Sequence, residues 1–340
     1  MPGTTFKRLG FAALAACMST HSAIAEELTI SVWGGFYGEN WKKDVVDPWS
    51  EETGIDVTMD FGQSSTRLSK VLATRGRSAD IIFLTDHQMA ILDDSELLDA
   101  IDWSNVPNSA NLYDFARDPL NNGKCPASTL LGVGLAYNTN HFDSPPSSWL
   151  DVTRPDLQTR AAFMDMSFSV APSVMTHFAT LQGGDMDNMD AAFNMLAEQA
   201  ETARIFQLFE VIDWINQDEV SVAPMLNIFA KEDPQLPLRF VYPDDGILGV
   251  VNMMCILKDS PNKAAAERFI DFYLSQEIQE MQAKIWGEGP VVTNAALPEV
   301  SAYKLVPVED ISKVIFYDPS KIASNRAEWM SRFEEEVLAQ

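Results

Sequence analysis

Short apolar runs alternate with amphipathic stretches of helical period along the N-terminal third of the chain, and that alternation leaves few architectures open. Leu28–Trp33, Ile55–Phe61 and Asp80–Leu84 read as strands, the third of them apolar throughout after its aspartate. Between them, Glu39–Thr53 and Ser65–Arg75 carry helical periodicity, and Gln88–Leu92 opens another helix. Gly54 and Gly76 stand where helices commonly end in a left-handed residue. Strands separated by helices pair in parallel, because the chain must cross back before the next strand can start. The order β-α-β-α-β therefore predicts an α/β fold whose sheet is mostly parallel and covered by helices on both faces.

The alternation stops and restarts. A polar stretch rich in Pro and Asn, Asn105–Pro126, leads into the strand Leu130–Asn138, and Pro145-Pro146 follows. Strands are then read at Ala161–Met164, Arg204–Phe209, Val220–Pro224, Leu238–Val241 and Val250–Leu257. Helices are read at Val174–Gln182, Met189–Glu201, Glu210–Gln217, Asn262–Leu274, Ser275–Ile285 and Ser324–Leu338. At 340 residues the chain is longer than one compact core usually grows, so two domains are expected.

The first 25 residues are excluded from the fold. Lys7 and Arg8 precede an apolar run from Leu9 to Met18, and Ala23-Ile24-Ala25 is a small-residue cleavage signal. This is the layout of a secretory signal peptide, with export across the inner membrane as its consequence. Leu14-Ala15-Ala16-Cys17 is the competing signal, a lipid-attachment box, but its apolar run is short. Nothing later is apolar for the roughly 20 residues that a spanning helix needs. The formal net charge of −25 argues against partners that are themselves anionic, nucleic acid above all. Cys125 and Cys255 remain after cleavage, and an oxidising compartment permits their pairing. Their distance is not readable from the sequence, so the disulfide stays open here.

Several landmarks occur together and in order. They are Val32-Trp33-Gly34-Gly35, Glu51-Glu52-Thr53-Gly54-Ile55-Asp56-Val57, Ala79-Asp80-Ile81-Ile82 and Leu135-Ala136-Tyr137-Asn138. Further on come Ser260-Pro261-Asn262-Lys263 with Phe269-Ile270-Asp271-Phe272, Gly289-Pro290 with Thr293-Asn294, and Asn325-Arg326 with Trp329. In this order the chain resembles the extracellular solute-binding proteins of ABC importers, in the branch of the spermidine/putrescine-binding proteins. The resemblance implies a two-lobed type II periplasmic binding protein with its ligand in the cleft between lobes. It implies a periplasmic monomer that takes a small molecule and delivers it to a membrane permease. On that pattern residues 1–25 are the signal peptide, 26–136 with 249–296 form lobe one, and 137–248 with 297–340 form lobe two. Gly246 and Gly249 would absorb the hinge rotation.

Candidate ligand residues follow from a rule independent of family: in open parallel sheets, ligands sit beyond the carboxyl ends of strands. After the first strand come Trp33, Gly34, Gly35 and Tyr37; after the second, Ser64 and Ser65; after the third, Asp86 and His87. Ser and Asp in these places also suit helix caps. Tyr137 lies on the crossing strand, Asp165 and Ser167 follow a strand of lobe two, Asn227 follows another, and Asn252 lies on the return strand. The match to polyamine binders breaks down at their ligand-gripping residues. Their lobe-two acids fall on Met166 and Ser169, their tryptophans on Leu226 and Val250, and their return-strand aspartate on Asn252. Buried ammonium groups without carboxylates are costly, so a small amino-carboxylate, phosphonate or other zwitterion fits these loops better than a polyamine.

Other chemistries find no support in the residues. His87, His141 and His177 lack metal-ligand spacing, and Asp185, Asp187 and Asp190 lack the glycine and closing glutamate of a calcium loop. There is no phosphate-binding loop or nucleophile elbow, and no cofactor is implied. The rival readings are an enzyme on the same fold with a cysteine nucleophile, of the thiamine-degrading kind, and a receptor subunit that serves a sensor instead of a transporter. Cys125 or Cys255 would have to be a reactive thiolate for the first.

Overall fold

In a computed structural model, the chain is described over residues 26–157, 160–207, 209–299 and 301–339. The basic and apolar leader and the Ala23-Ile24-Ala25 site lie outside the described residues.

The first strand, β1 (Glu27–Val32), leads into α1 (Gly35–Trp41), which continues through a π-helical turn, Lys42–Val46, into α2 (Asp47–Thr53). Gly54 ends this long helix with φ 71°, and its N–H returns to the Ser50 carbonyl. Next come β2 (Asp56–Phe61), α3 (Ser64–Thr74), β3 (Ile81–Thr85) and α4 (Asp86–Asp94). β1 pairs in parallel with both β2 and β3. Every residue of β3 is buried, as a strand covered on both faces must be. β2 lies at the sheet edge and stays half exposed.

After a short helix, α5 (Asp114–Arg117), the long strand β4 (Ala127–Asn138) is buried throughout. The second half contains β5 (Ala162–Met164), α6 (Ala171–Leu181), α7 (Asp190–Ala200), β6 (Arg204–Phe206), α8 (Glu210–Asn216), β7 (Val222–Leu226) and β8 (Leu238–Val241). β5 and β6 pair in parallel, whereas β7 and β8 run antiparallel to β4. The chain returns through β9 (Ile247–Ile256), then α9 (Lys263–Tyr273), α10 (Gln276–Trp286), the two-residue β10 (Val314–Ile315) and α11 (Pro319–Arg332).

β9 lies between β3 and β4 and is antiparallel to both, which makes one sheet of order β2-β1-β3-β9-β4-β7. Two hydrophobic cores form on this sheet. Leu28, Trp41, Phe83, Phe269 and Val306 belong to one, and Trp149, Phe163, Phe193, Phe240 and Trp329 to the other. The boundary passes through the two long strands: Leu130 packs into the first core and Leu131 into the second, Val251 into the first and Val250 into the second. These are the two lobes, joined by β4 and β9.

The structure explains two of the sequence landmarks as one unit. The buried Asp80 carboxylate accepts from the Thr29 N–H at 2.7 Å and from the Ser260 hydroxyl at 2.6 Å, and Asn262 Nδ2 donates to it at 3.3 Å. A buried carboxylate needs such donors, so Asp80 and Ser260-Pro261-Asn262 occur together. Cys125 and Cys255 form a disulfide with Cα atoms 5.0 Å apart, which ties the segment entering β4 to the end of β9. No helix among the described residues is long and apolar enough to cross a membrane.

Candidate ligand-binding cleft

The carboxyl ends of β1, β2 and β3 are held together by a residue that no pattern in the sequence singles out. Arg67, buried on α3, donates from Nε to the Gly62 carbonyl at 3.0 Å and from Nη1 to the Ser31 and Phe83 carbonyls at 3.2 and 2.7 Å. Its guanidinium lies 5.2 Å from the Trp33 ring centroid, a cation–π arrangement. Burial lowers its pKa to about 9, against a smaller opposing pull from Asp60. Carbonyl dipoles and an aromatic face thus hold a buried cation under the first loop.

That loop carries the first predicted group. Trp33 is half-buried and donates from Nε1 to the Ser64 hydroxyl at 2.8 Å, which joins two of the predicted loops. Gly35 takes φ 68°, a conformation open to glycine at little cost and needed for the turn into α1. Tyr37 meets Trp33 edge to face at 6.1 Å and Trp286 at 5.1 Å. Its hydroxyl donates to Glu288 Oε1 at 2.8 Å. Gly38 is the tight point beneath the loop, because a Cβ there would lie 2.0 Å from the Trp33 carbonyl oxygen and 2.9 Å from the Phe61 ring. Gly38→Ala is expected to displace the Trp33 loop and to cost about 1–3 kcal/mol of stability, as overpacking does. Chemical denaturation checks this, and an unchanged midpoint would count against the packing described.

The other predicted residues divide into those brought to this place and those kept from it. Ser65 is exposed at the start of α3. Asp86 accepts from the His87 N–H at 2.7 Å at the start of α4, and His87 is buried with neither ring nitrogen hydrogen-bonded, Nδ1 lying 3.5 Å from Asp86 Oδ1. α4 also packs against α11 of the second lobe, so this pair sits on a helix that bridges the lobes. Asn252 lies opposite Thr85 on β3 and Thr129 on β4, and its Nδ2 donates to the Thr129 hydroxyl at 3.2 Å.

Tyr137 is not brought here. It stands eight residues beyond Thr129 on β4, roughly 26 Å along the strand, and its ring packs edge to face on Phe142 in the second core. Asn227 is fully buried and fully used: its Oδ1 accepts from the Gly132 N–H at 3.1 Å and its Nδ2 donates to the Gly287 carbonyl at 2.8 Å. That geometry clamps the end of β7 to β4 and to the turn after α10. Asp165 Oδ1 accepts from the Ser167 N–H at 2.8 Å, which closes a local turn after β5.

Glu288 was missed by the sequence reading. One signal was visible, since the turn Gly289-Pro290 follows a glutamate where the resembled motif has an aromatic. The carboxyl is 1% exposed, and burial pushes its pKa up to about 7, with hydrogen bonding from Tyr37 and then Thr129 pulling the other way. The strand-end region of the first core thus carries a cation beside Trp33 and an acid beside Tyr37, with the two rings in edge-to-face contact.

Comparison with known proteins agrees with this architecture. Residues 77–313 match the family described as bacterial extracellular solute-binding protein. The norspermidine sensor of Vibrio cholerae is 23% identical over 317 residues, covering 88% of this chain and 83% of the sensor. The spermidine/putrescine-binding periplasmic protein of Escherichia coli is 22% identical over 312 residues, covering 87% and 86%. The crystal structure of an ABC transporter protein from Clostridium perfringens superposes with a TM-score of 0.77 at 25% identity, covering 91% of this chain and 99% of that one. With a two-lobed fold, strand-end loops at the cleft and a family match over most of its length, the chain belongs to the bacterial extracellular solute-binding proteins.

Proposed function

We propose that the protein is the periplasmic capture component of an ABC importer, and that it closes its lobes on a small amino-carboxylate or similar zwitterion. The observation that carries the ligand class is the pairing of opposite charges at one loop, Arg67 under Trp33 and Glu288 under Tyr37. A zwitterion meets both signs, whereas a polyamine brings cations alone. The relatives named for norspermidine and for spermidine and putrescine support an amine as one end of the solute. Met166 and Leu226 are apolar and buried in lobe two, so neither of these positions offers a carboxylate to a further ammonium.

The two cores support lobes close to 26–136 with 249–296 and 137–248 with 297–340, with two adjustments: Leu131, Val133, Leu135, Ala136 and Val250 pack with the second core, and Val306, Val308 and Val314 pack with the first. The protein acts as a monomer that delivers its solute to a membrane permease and has no nucleic-acid partner. The disulfide leaves neither Cys125 nor Cys255 as a thiolate, which counts against a cysteine nucleophile. A receptor role without a transporter is favoured by one observation, the sensor name of the Vibrio cholerae relative. Uptake by proteoliposomes carrying the cognate permease and ATPase separates receptor from importer.

Calorimetric titration with 4-aminobutyrate, an aminophosphonate, putrescine and spermidine tests the ligand class. The zwitterions are expected to bind at least tenfold more tightly than spermidine. Binding of the polyamines alone would overturn the zwitterion reading.

A further inference from the structure

We infer that Glu288, together with Tyr37, Thr129 and Asn252, forms the subsite that receives the protonated amine of the solute. This rests on the reading of the protein as a binder of amine-bearing solutes and assigns one end of the solute to named atoms.

The turn that carries Glu288 is held from two sides. Gly287 takes φ 71° at the end of α10, and its carbonyl accepts from Asn227. Gly289 exchanges two backbone hydrogen bonds with Leu130 of β4, each of 2.8 Å. These anchors fix the backbone that carries the carboxyl, and the Tyr37 hydrogen bond holds the side chain inward.

The Tyr37 and Asn252 donors beside it are already in use. Tyr37 donates its only hydroxyl hydrogen to Oε1. Asn252 donates from Nδ2 to Thr129. Two buried acceptors are left with no hydrogen-bond partner, Glu288 Oε2 and Asn252 Oδ1. Buried acceptors are rarely left in this state, and each carries a desolvation cost. The groups that bear on the titration of Glu288 are the Tyr37 and Thr129 hydroxyls, and Glu288 in turn acts on the Tyr37 and Tyr273 phenols. None of them is a cation. What the cluster lacks is a compact group with several N–H donors and a positive charge, and an alkylammonium has three donors and that charge. A water molecule could donate to Glu288 Oε2 but would leave the charge unmet.

Position agrees with chemistry. Tyr37 is half-buried and its chain neighbour Phe36 is exposed, so the cluster adjoins a loop that reaches the surface. Asn252 and Thr129 are neighbours across β9 and β4, the strands that join the lobes. An amine held here would touch lobe one and the connecting strands at once.

The carboxyl, with its pKa near 7 when empty, must ionise fully to hold an ammonium, so binding releases a proton. The experiment is calorimetry at pH 7 with putrescine and 4-aminobutyrate, in two buffers of different ionisation enthalpy. The wild-type protein is expected to release about half a proton per amine bound. Glu288→Gln is expected to abolish that release and to weaken amine binding about 10- to 100-fold, the range of a charged hydrogen bond. Tyr37→Phe keeps the acid and provides the second test, because proton release should persist while affinity falls less. Wild-type affinity and unchanged proton release in Glu288→Gln, a subsite filled by water only, would overturn the assignment and leave solute binding standing. Failure of the wild-type protein to bind either probe would overturn both.

Discussion

Removing the Cys125–Cys255 disulfide should lower the unfolding free energy by about 5 kcal/mol, the largest single effect expected for this protein. The bridge closes a loop of 130 residues. In the chain-entropy account, cross-linking so long a loop strips conformations mainly from the unfolded chain, by an amount that grows slowly with loop length. The folded state should tolerate the loss. Both cysteines are fully buried in the first core, and a buried thiol packs as a small hydrophobe. The double variant Cys125→Ala, Cys255→Ala should therefore fold, keep its solute affinity and unfold at a markedly lower denaturant concentration. Denaturation of oxidised and reduced protein side by side reads the difference, and a loss below about 1 kcal/mol would show that the unfolded chain is not restrained as supposed.

The second large effect concerns pH. Glu288 has a folded-state pKa of about 7 against an ordinary 4.5, because burial disfavours its charge. A raised pKa means that the folded state binds the proton more tightly than the unfolded state does. The resulting stabilisation is complete below pH 4.5, declines from there, and is gone once pH has risen through 7. At about 1.4 kcal/mol per unit, the loss between pH 4.5 and 8 is about 3 kcal/mol. Glu288→Gln cannot ionise and should remove this component. The difference between wild-type and variant stability, measured by denaturation at several pH values without ligand, isolates Glu288 from every other titrating group. The variant should gain on the wild type as pH rises, and parallel curves would refute the assignment. Saturating amine should reverse the trend for the wild type, since the bound cation stabilises the ionised carboxylate.

The same residue shows where sequence reading succeeded and where it stopped. The order of strands and helices was legible because burial on two faces forces apolar runs and burial on one face forces helical periodicity. Ile81 to Leu84 had to be apolar to lie between helix layers, and Gly54 had to permit a left-handed turn. β10 was missed since two residues carry no period. The loops at the strand ends were predicted from topology, and Trp33 does meet Ser64 there. Tyr137 stands apart from them because a strand extends roughly 3.3 Å per residue, so eight residues separate it from the cleft residues of its own strand. Asn227 had the right polarity and the right strand end, but both halves of its amide went to backbone groups.

The burial of Arg67 and Glu288 was not legible in the sequence, for a common reason. Each lies in a polar segment that reads as solvated surface, α3 for one and a glycine turn for the other. Their burial comes from partners distant in the chain: Arg67 reaches the ends of three strands, and Glu288 meets Tyr37 across 251 positions.

The layered α/β architecture, the landmarks of the family and the ends of the strands were therefore legible in the chain, because all of them depend on periodicity and local backbone chemistry. The disulfide, the residues that meet at the strand ends and the charge beside each aromatic ring emerge only in three dimensions. Those depend on which distant side chains are taken out of water together, and a buried charge has its consequences only once its neighbours in space are known.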